Sequence, residues 1–201
     1  MKRVCVFCGS SIGSRPAYRE AAQTMGAALA RRNLGLVYGG GKVGLMGAVA
    51  DAVLAAGGEV IGVIPDFLEA KEVGHRGLTE LRVVGSMHER KAMMAALSDG
   101  FIALPGGYGT LEEFGEILTW AQLDLHHKPI GLLDVAGYYD PLLRLFDHAV
   151  GEGFLSPVLR ALVLEESDPA RLLDVLAAHE PRAVGKWAGW DERDDLLSDK
   201  T

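Results

Sequence analysis

The chain has 201 residues, enough for one domain with a sizeable core. Twenty Lys and Arg against 27 Asp and Glu leave a net charge of −7, which disfavours nonspecific binding to nucleic acid but not a few local donors gripping a small anion. No apolar run approaches the ~18 residues needed to cross a bilayer, and the apolar stretch after Met1-Lys2-Arg3 is too short for a signal peptide, so a cytoplasmic protein without a membrane partner is expected.

From the N-terminus, short apolar runs alternate with longer stretches of helical spacing. Arg3–Phe7 reads as a buried first strand, followed by Cys8-Gly9-Ser10-Ser11-Ile12-Gly13-Ser14 and a helix over Pro16–Arg32. A second strand, Gly35–Tyr38, runs into the glycine loop Gly39–Gly47 and a helix over Leu45–Ala56. Strands then follow over Glu59–Ile64 and Leu81–Val84, a helix over Met87–Ser98, and a fifth strand over Gly100–Leu104. After the turn Pro105-Gly106-Gly107-Tyr108-Gly109-Thr110 come a helix over Leu111–Leu123, a strand over Pro129–Leu133 and a helix over Tyr139–Glu152. The last two elements are a strand over Ala161–Leu164 and a helix over Asp168–His179. Continuous apolar strands separated by crossover-length helices imply an α/β domain over residues 1–180, with a doubly wound, mostly parallel sheet of about seven strands and helices on both faces. Residues 181–201 read as a polar C-terminal tail.

Three strand-to-helix junctions are rich in glycine or serine, and each follows a strand's carboxyl end, so all three belong on one rim of the sheet. Glycine lets backbone approach a ligand, and the free N–H groups of a helix start favour an anion. Gly39 to Gly44 spells a formal G-x-G-x-x-G, with Asp66 at about the distance of a ribose-binding acid, but it follows the second strand rather than the first. No G-x-x-x-x-G-K-[ST] is present. At the fifth junction Thr110 is a natural N-cap and Glu113 stands at the capping-box position, while Glu112, Gly115, Glu116 and Thr119 share a helix face. In Met87-His88-Glu89-Arg90-Lys91 the two basic residues point about 100° apart and serve different partners; near a helix start they oppose the macrodipole unless an anion lies close. Cys5 and Cys8 form a C-x-x-C without a second half-site, and on a strand they face opposite ways, so neither zinc nor a disulfide is expected. The adjacent His126 and His127 diverge and read as a surface pair.

Together, Gly39-Gly40-Gly41…Gly44-Leu45-Met46-Gly47, Met87-His88-Glu89-Arg90-Lys91 and Pro105-Gly106-Gly107-Tyr108-Gly109-Thr110-Leu111-Glu112-Glu113 resemble the Lonely Guy (LOG) family of cytokinin riboside 5′-monophosphate phosphoribohydrolases, often labelled lysine decarboxylases. The likeness runs from about Arg3 to His179. It implies a Rossmann-like fold, a homodimer, and hydrolysis of the N-glycosidic bond of a nucleoside 5′-monophosphate, cytokinin nucleotides or AMP, with no cofactor and no metal. By the same resemblance Arg90 and Glu112 are the catalytic pair. Gly106, Gly107, Tyr108, Gly109 and Thr110 hold the 5′-phosphate, Leu111 binds substrate beside them, and Glu72, Lys91 and Thr119 line the nucleotide site. The alternative is a noncatalytic carrier or sensor of a phosphorylated ligand, which has no need of Arg90 and Glu112 beside the phosphate turn. A decarboxylase lacks support, because nothing marks a pyridoxal-phosphate lysine.

Overall fold

A computed structural model describes residues 1–69 and 74–180 of the chain. Glu72 and the expected tail from residue 181 lie outside the described residues. The elements run β1 (Arg3–Phe7), α1 (Pro16–Arg31), β2 (Gly35–Tyr38), α2 (Gly44–Ala55), β3 (Val60–Pro65), α3 (Asp66–Glu69), β4 (Glu80–Val84), α4 (Met87–Leu97), β5 (Gly100–Ala103), α5 (Tyr108–Gln122), β6 (Ile130–Leu133), α6 (Asp140–Gly151), α7 (Pro157–Arg160), β7 (Val163–Glu166) and α8 (Pro169–Ala177).

The strands form one sheet in the order β4-β3-β2-β1-β5-β6-β7, and every pairing is parallel. The chain builds outward from β1 to β4, then crosses back to lay β5 on the other side of β1. Val4 therefore pairs with Leu36 of β2 and with Gly100 of β5. This reversal leaves a crevice at the carboxyl ends of β1 and β5, where crossover helices depart to opposite faces.

Alternation along β1 splits the core in two. Val4 and Val6 face α1, α2 and α8, where Met25, Leu29, Val49, Val53 and Leu172 are fully buried. Cys5 and Phe7 face α4 and α5, against Met94, Phe114 and Ile117. Helices thus cover both faces, as continuous apolar strands require. The two cysteines fall in opposite clusters as unpaired, buried thiols, and burial pushes both thiol pKa values up, so they serve as packing residues.

The differences from the expected elements have local causes. Helix α5 starts at Tyr108, three residues earlier than expected, with Gly107 as N-cap. Thr110 is therefore inside the first turn, not the cap: its hydroxyl is buried against Gly106, where a Cβ would stand 2.1 Å from Oγ1. Strand β7 includes Glu165 and Glu166, which an apolar-run reading leaves out; an edge strand tolerates them because its outer side meets solvent. The short α7 before it is capped by Ser156, whose Oγ accepts from Leu159 N–H.

Candidate active site

Three loops meet at the carboxyl edge. The loop after β1 is tied to the loop after β5 by Gly9 N–H donating to the Pro105 carbonyl at 3.0 Å, and to α2 by Leu45 N–H donating to the Gly9 carbonyl at 3.0 Å. Between them opens a cavity of about 230 Å³ lined by Ser10, Ser11, Gly13, Gly106, Gly107 and Tyr138. Two tyrosines from the β6–α6 connection brace its floor: the Tyr138 hydroxyl donates to the Gly106 carbonyl, and the Tyr139 hydroxyl to the Leu104 carbonyl at 2.6 Å. Neither tyrosine carries a motif in the sequence, since the braces span more than 30 residues.

The start of α5 faces outward beside this cavity. Its first intrahelical bond is Leu111 N–H to the Gly107 carbonyl at 3.1 Å, so the amides of Tyr108, Gly109 and Thr110 have no carbonyl a turn behind them. No side chain caps the helix, no acidic residue stands in its first turn, and the Cα faces of Gly107 and Gly109 meet open space. Tyr108 is 94% exposed and Leu111 partly so. Such an end suits an anion through both its amides and the helix macrodipole.

Helix α4 brings two cations against α5. Its own start is capped by a side chain: Ser86 Oγ accepts from Glu89 N–H at 3.1 Å, and the Glu89 carboxylate accepts from Gly85 N–H at 2.9 Å. Arg90, only 9% exposed, points inward. Its Nε donates to the Val63 carbonyl at 3.1 Å and its Nη2 to the Gly39 carbonyl at 3.1 Å, while Nη1 lies 3.6 Å from Glu113 Oε1. Gly39 is a glycine because a Cβ there would stand 1.9 Å from Arg90 Nη2. The G-x-G-x-x-G string thus seats an arginine at its first glycine. Lys91 turns to another side of α4, its side chain also largely covered, with Nζ 2.6 Å from Glu112 Oε1 and 3.0 Å from Glu116 Oε1.

The two carboxylates of α5 therefore differ in kind. Glu112 is half-exposed and ion-paired. Glu113 is nearly enclosed, and burial, opposed by the Arg90 charge, pushes its carboxyl pKa up to about 7. For Lys91, burial works against the ammonium, but bonds to Glu112 and Glu116 outweigh it and leave its pKa raised.

Among the expected site residues, Arg90, Lys91 and Glu112 come together at the α4–α5 contact, with Gly106 through Leu111 at the adjoining helix start. Thr119 lies farther along α5, its hydroxyl donating to the Gly115 carbonyl at 2.8 Å. The carboxylate facing Arg90 is Glu113, not Glu112. Counted along P-G-G-x-G-T-x-x-E, the closing acid is also Glu113, so the spacing itself held that signal. His126 is half-buried and bonds the Ile117 carbonyl at 3.0 Å rather than standing on the surface, while His127 lies 3.4 Å from Asp124. Among the described residues no cluster of His, Cys, Asp and Glu could hold a metal ion, and no helix is long and apolar enough to cross a membrane.

A seven-stranded parallel sheet whose order reverses beside an uncapped helix start places the protein among Rossmann-like proteins with a switch-point crevice. The family model described as "Possible lysine decarboxylase" matches residues 46–176. A cytokinin riboside 5′-monophosphate phosphoribohydrolase of Arabidopsis thaliana is 50% identical over 197 residues, covering 97% of this chain and 91% of that one. A protein of Oryza sativa subsp. japonica, named as a probable cytokinin riboside 5′-monophosphate phosphoribohydrolase, is 56% identical over 180 residues, covering 90% and 79%. The chain belongs to this family, the LOG family. Among solved structures, the molybdenum cofactor carrier protein of Chlamydomonas reinhardtii superposes with a TM-score of 0.68 over 89% of this chain and 99% of that one; at 22% identity the likeness is one of fold alone.

Proposed function

We propose that the protein hydrolyses the N-glycosidic bond of cytokinin riboside 5′-monophosphates, and of AMP, releasing free base and ribose 5-phosphate. The carrying observation is that the charged contact between α4 and α5 sits one turn from the open helix start. The 5′-phosphate binds the amides of Gly107 through Thr110, and Leu111 flanks it. The ribose then lies along α5 beside Glu112, about 6 Å further on at 1.5 Å per residue. Lys91 and Thr119 line the same face, and Glu72 completes the substrate contacts by family resemblance.

Cleaving the C1′–N bond builds positive charge on the ribose, so an ionised carboxylate nearby stabilises the transition state. Glu112, ion-paired with Lys91, takes that role, and Arg90 is its catalytic companion. Glu113, with a pKa near 7, is suited to exchange a proton with the attacking water or the leaving base. Two neighbouring carboxyls in unlike environments can thus divide charge stabilisation from proton transfer. The net charge of −7 disfavours nucleic acid as a partner, while local donors at the helix start can hold a small anion against it.

Incubation with AMP and with isopentenyladenosine monophosphate tests the reading, with free base detected by chromatography. Release from the isopentenyl nucleotide is expected; no base from either would remove the hydrolase assignment and leave a noncatalytic ligand carrier. Glu112→Gln is expected to lower kcat by a factor of ~100 or more while nucleotide binding survives, because only transition-state charge stabilisation is lost. We also propose a cytoplasmic homodimer. Support comes from α6, amphipathic in sequence yet without a buried residue, and from an adjoining apolar groove of about 300 Å³ lined by Leu118, Phe146, Phe154 and Leu155.

A further inference from the structure

His75 is 5% exposed, yet it belongs to none of the motifs that define the site. It lies where the chain leading into β4 crosses the β2–α2 loop. Gly74 forms an isolated antiparallel bridge with Gly41, and His75 N–H donates to the Gly40 carbonyl at 3.1 Å. Both ring nitrogens are engaged. Nδ1 accepts from Gly77 N–H at 3.2 Å, which assigns the ring hydrogen to Nε2, and Nε2 donates to Asp51 Oδ1 at 2.8 Å. Asp51 belongs to α2 and its side chain is 65% exposed, so the bond ties a buried ring to the helix surface.

The loop clamped in this way is the one that seats Arg90. The Gly39 carbonyl, next along the chain from the carbonyl His75 holds, accepts Arg90 Nη2. A guanidinium is a rigid planar fork, so its direction follows its fixed acceptors. Of the two backbone carbonyls that Arg90 bonds, Val63 is held within β3, but Gly39 stands just past the end of β2. Its place depends on what fastens the loop from outside, and the His75 contacts provide that fastening.

We propose that Asp51 and His75 form a positioning pair for Arg90, acting through the Gly39–Gly41 loop. The kinetic part of the test rests on the hydrolase reading; the spectroscopic part does not. Asp51→Ala removes the acceptor at an exposed helical position that alanine suits. It is expected to lower kcat about tenfold, with KM changed by less than about twofold, since a misplaced group costs rate more than binding. Asp51→Asn keeps an acceptor oxygen and is expected to recover most of the rate. Combined with Arg90→Lys, the loss from Asp51→Ala is expected not to multiply, because both act on one group. Wild-type kcat in Asp51→Ala, or losses that multiply in the double variant, would overturn the proposal.

The second readout is solvent exchange of the Arg90 Nη2 hydrogens, which the Gly39 carbonyl holds, by ¹⁵N NMR; it needs no substrate turnover. Asp51→Ala is expected to speed it roughly tenfold as the loop loosens. An unchanged exchange rate sinks the positioning role whatever the kinetics show. If the wild-type protein cleaves no nucleotide, the hydrolase reading fails while this measurement still decides the proposal.

Discussion

Arg90 and Lys91 are neighbours, as are Glu112 and Glu113, and at about 100° per residue neighbours on a helix cannot share a direction. Packing α4 on α5 therefore sorts four charges into two pairs, Arg90 with Glu113 inside and Lys91 with Glu112 outside. The inner pair loses water, and the cost of ionising Glu113 there has consequences for both stability and rate. Its folded pKa, about 7, lies above its ordinary 4.5, so the native state binds the extra proton between those values. Stability from this group is fully present below pH 4.5 and is lost as pH rises to about 7, by no more than about 3 kcal/mol. Glu113→Gln cannot ionise, so urea melts at pH 5 and pH 8 should show the variant gaining on the wild type at the higher pH. The limb near pH 7 in the wild-type kcat/KM profile should vanish in the same variant. A limb that persists assigns the titration to another group.

At the scale of elements, α4 and α5 begin in opposite ways. Ser86 caps the Glu89 amide of α4, and Glu89 in turn holds the Gly85 N–H just before it, whereas α5 begins with neither a side-chain cap nor an acid in its first turn. The basic residues early in α4 thus find compensating anions on α5, Arg90 at Glu113 and Lys91 at Glu112 and Glu116. On the opposite face of the sheet, α1 and α2 approach closely at Gly26, where a Cβ would stand 2.5 Å from the Val49 carbonyl oxygen. Alanine at this position improves helix propensity by up to about 1 kcal/mol but must push two backbones apart. Gly26→Ala is accordingly expected to destabilise by about 1–3 kcal/mol in denaturant melts, with the outcome set by overpacking. Wild-type stability would mean that α2 yields without cost.

For the whole molecule, the reversal of strand order at β1 and β5 brings residues from distant parts of the chain to one crevice. Both edge strands carry charged residues, Glu80 and Arg82 in β4 and Glu165 and Glu166 in β7, which disfavours self-association through strand pairing. Exposed apolar side chains also stand away from the edges: Leu145 is 57% and Phe154 84% exposed, beside the groove between α5 and α6. A dimer through this face should sediment at twice the 21.5 kDa chain mass. The double change Leu145→Asp and Phe154→Asp is expected to return it to a monomer without unfolding it. A wild-type monomer at micromolar concentration would remove the dimer from the account.

Hydrophobic period and glycine placement were enough to read the alternation of strands and helices, the parallel sheet and the rim that holds the three loops, because those depend on patterns within a few residues. The resemblance of the motif strings added the family. The tyrosine braces on the phosphate turn and the His75–Asp51 bond were not legible, since each joins positions far apart in the chain without a recurring spacing. Nor could helical periodicity decide which of two adjacent acids meets Arg90. That depends on the rotation of α5 about its axis, which is set by Thr110, Phe114, Ile117 and Ala121 burying against the sheet. The local sequence thus determined which groups reach the site's rim, and only tertiary packing determined which of them point at one another.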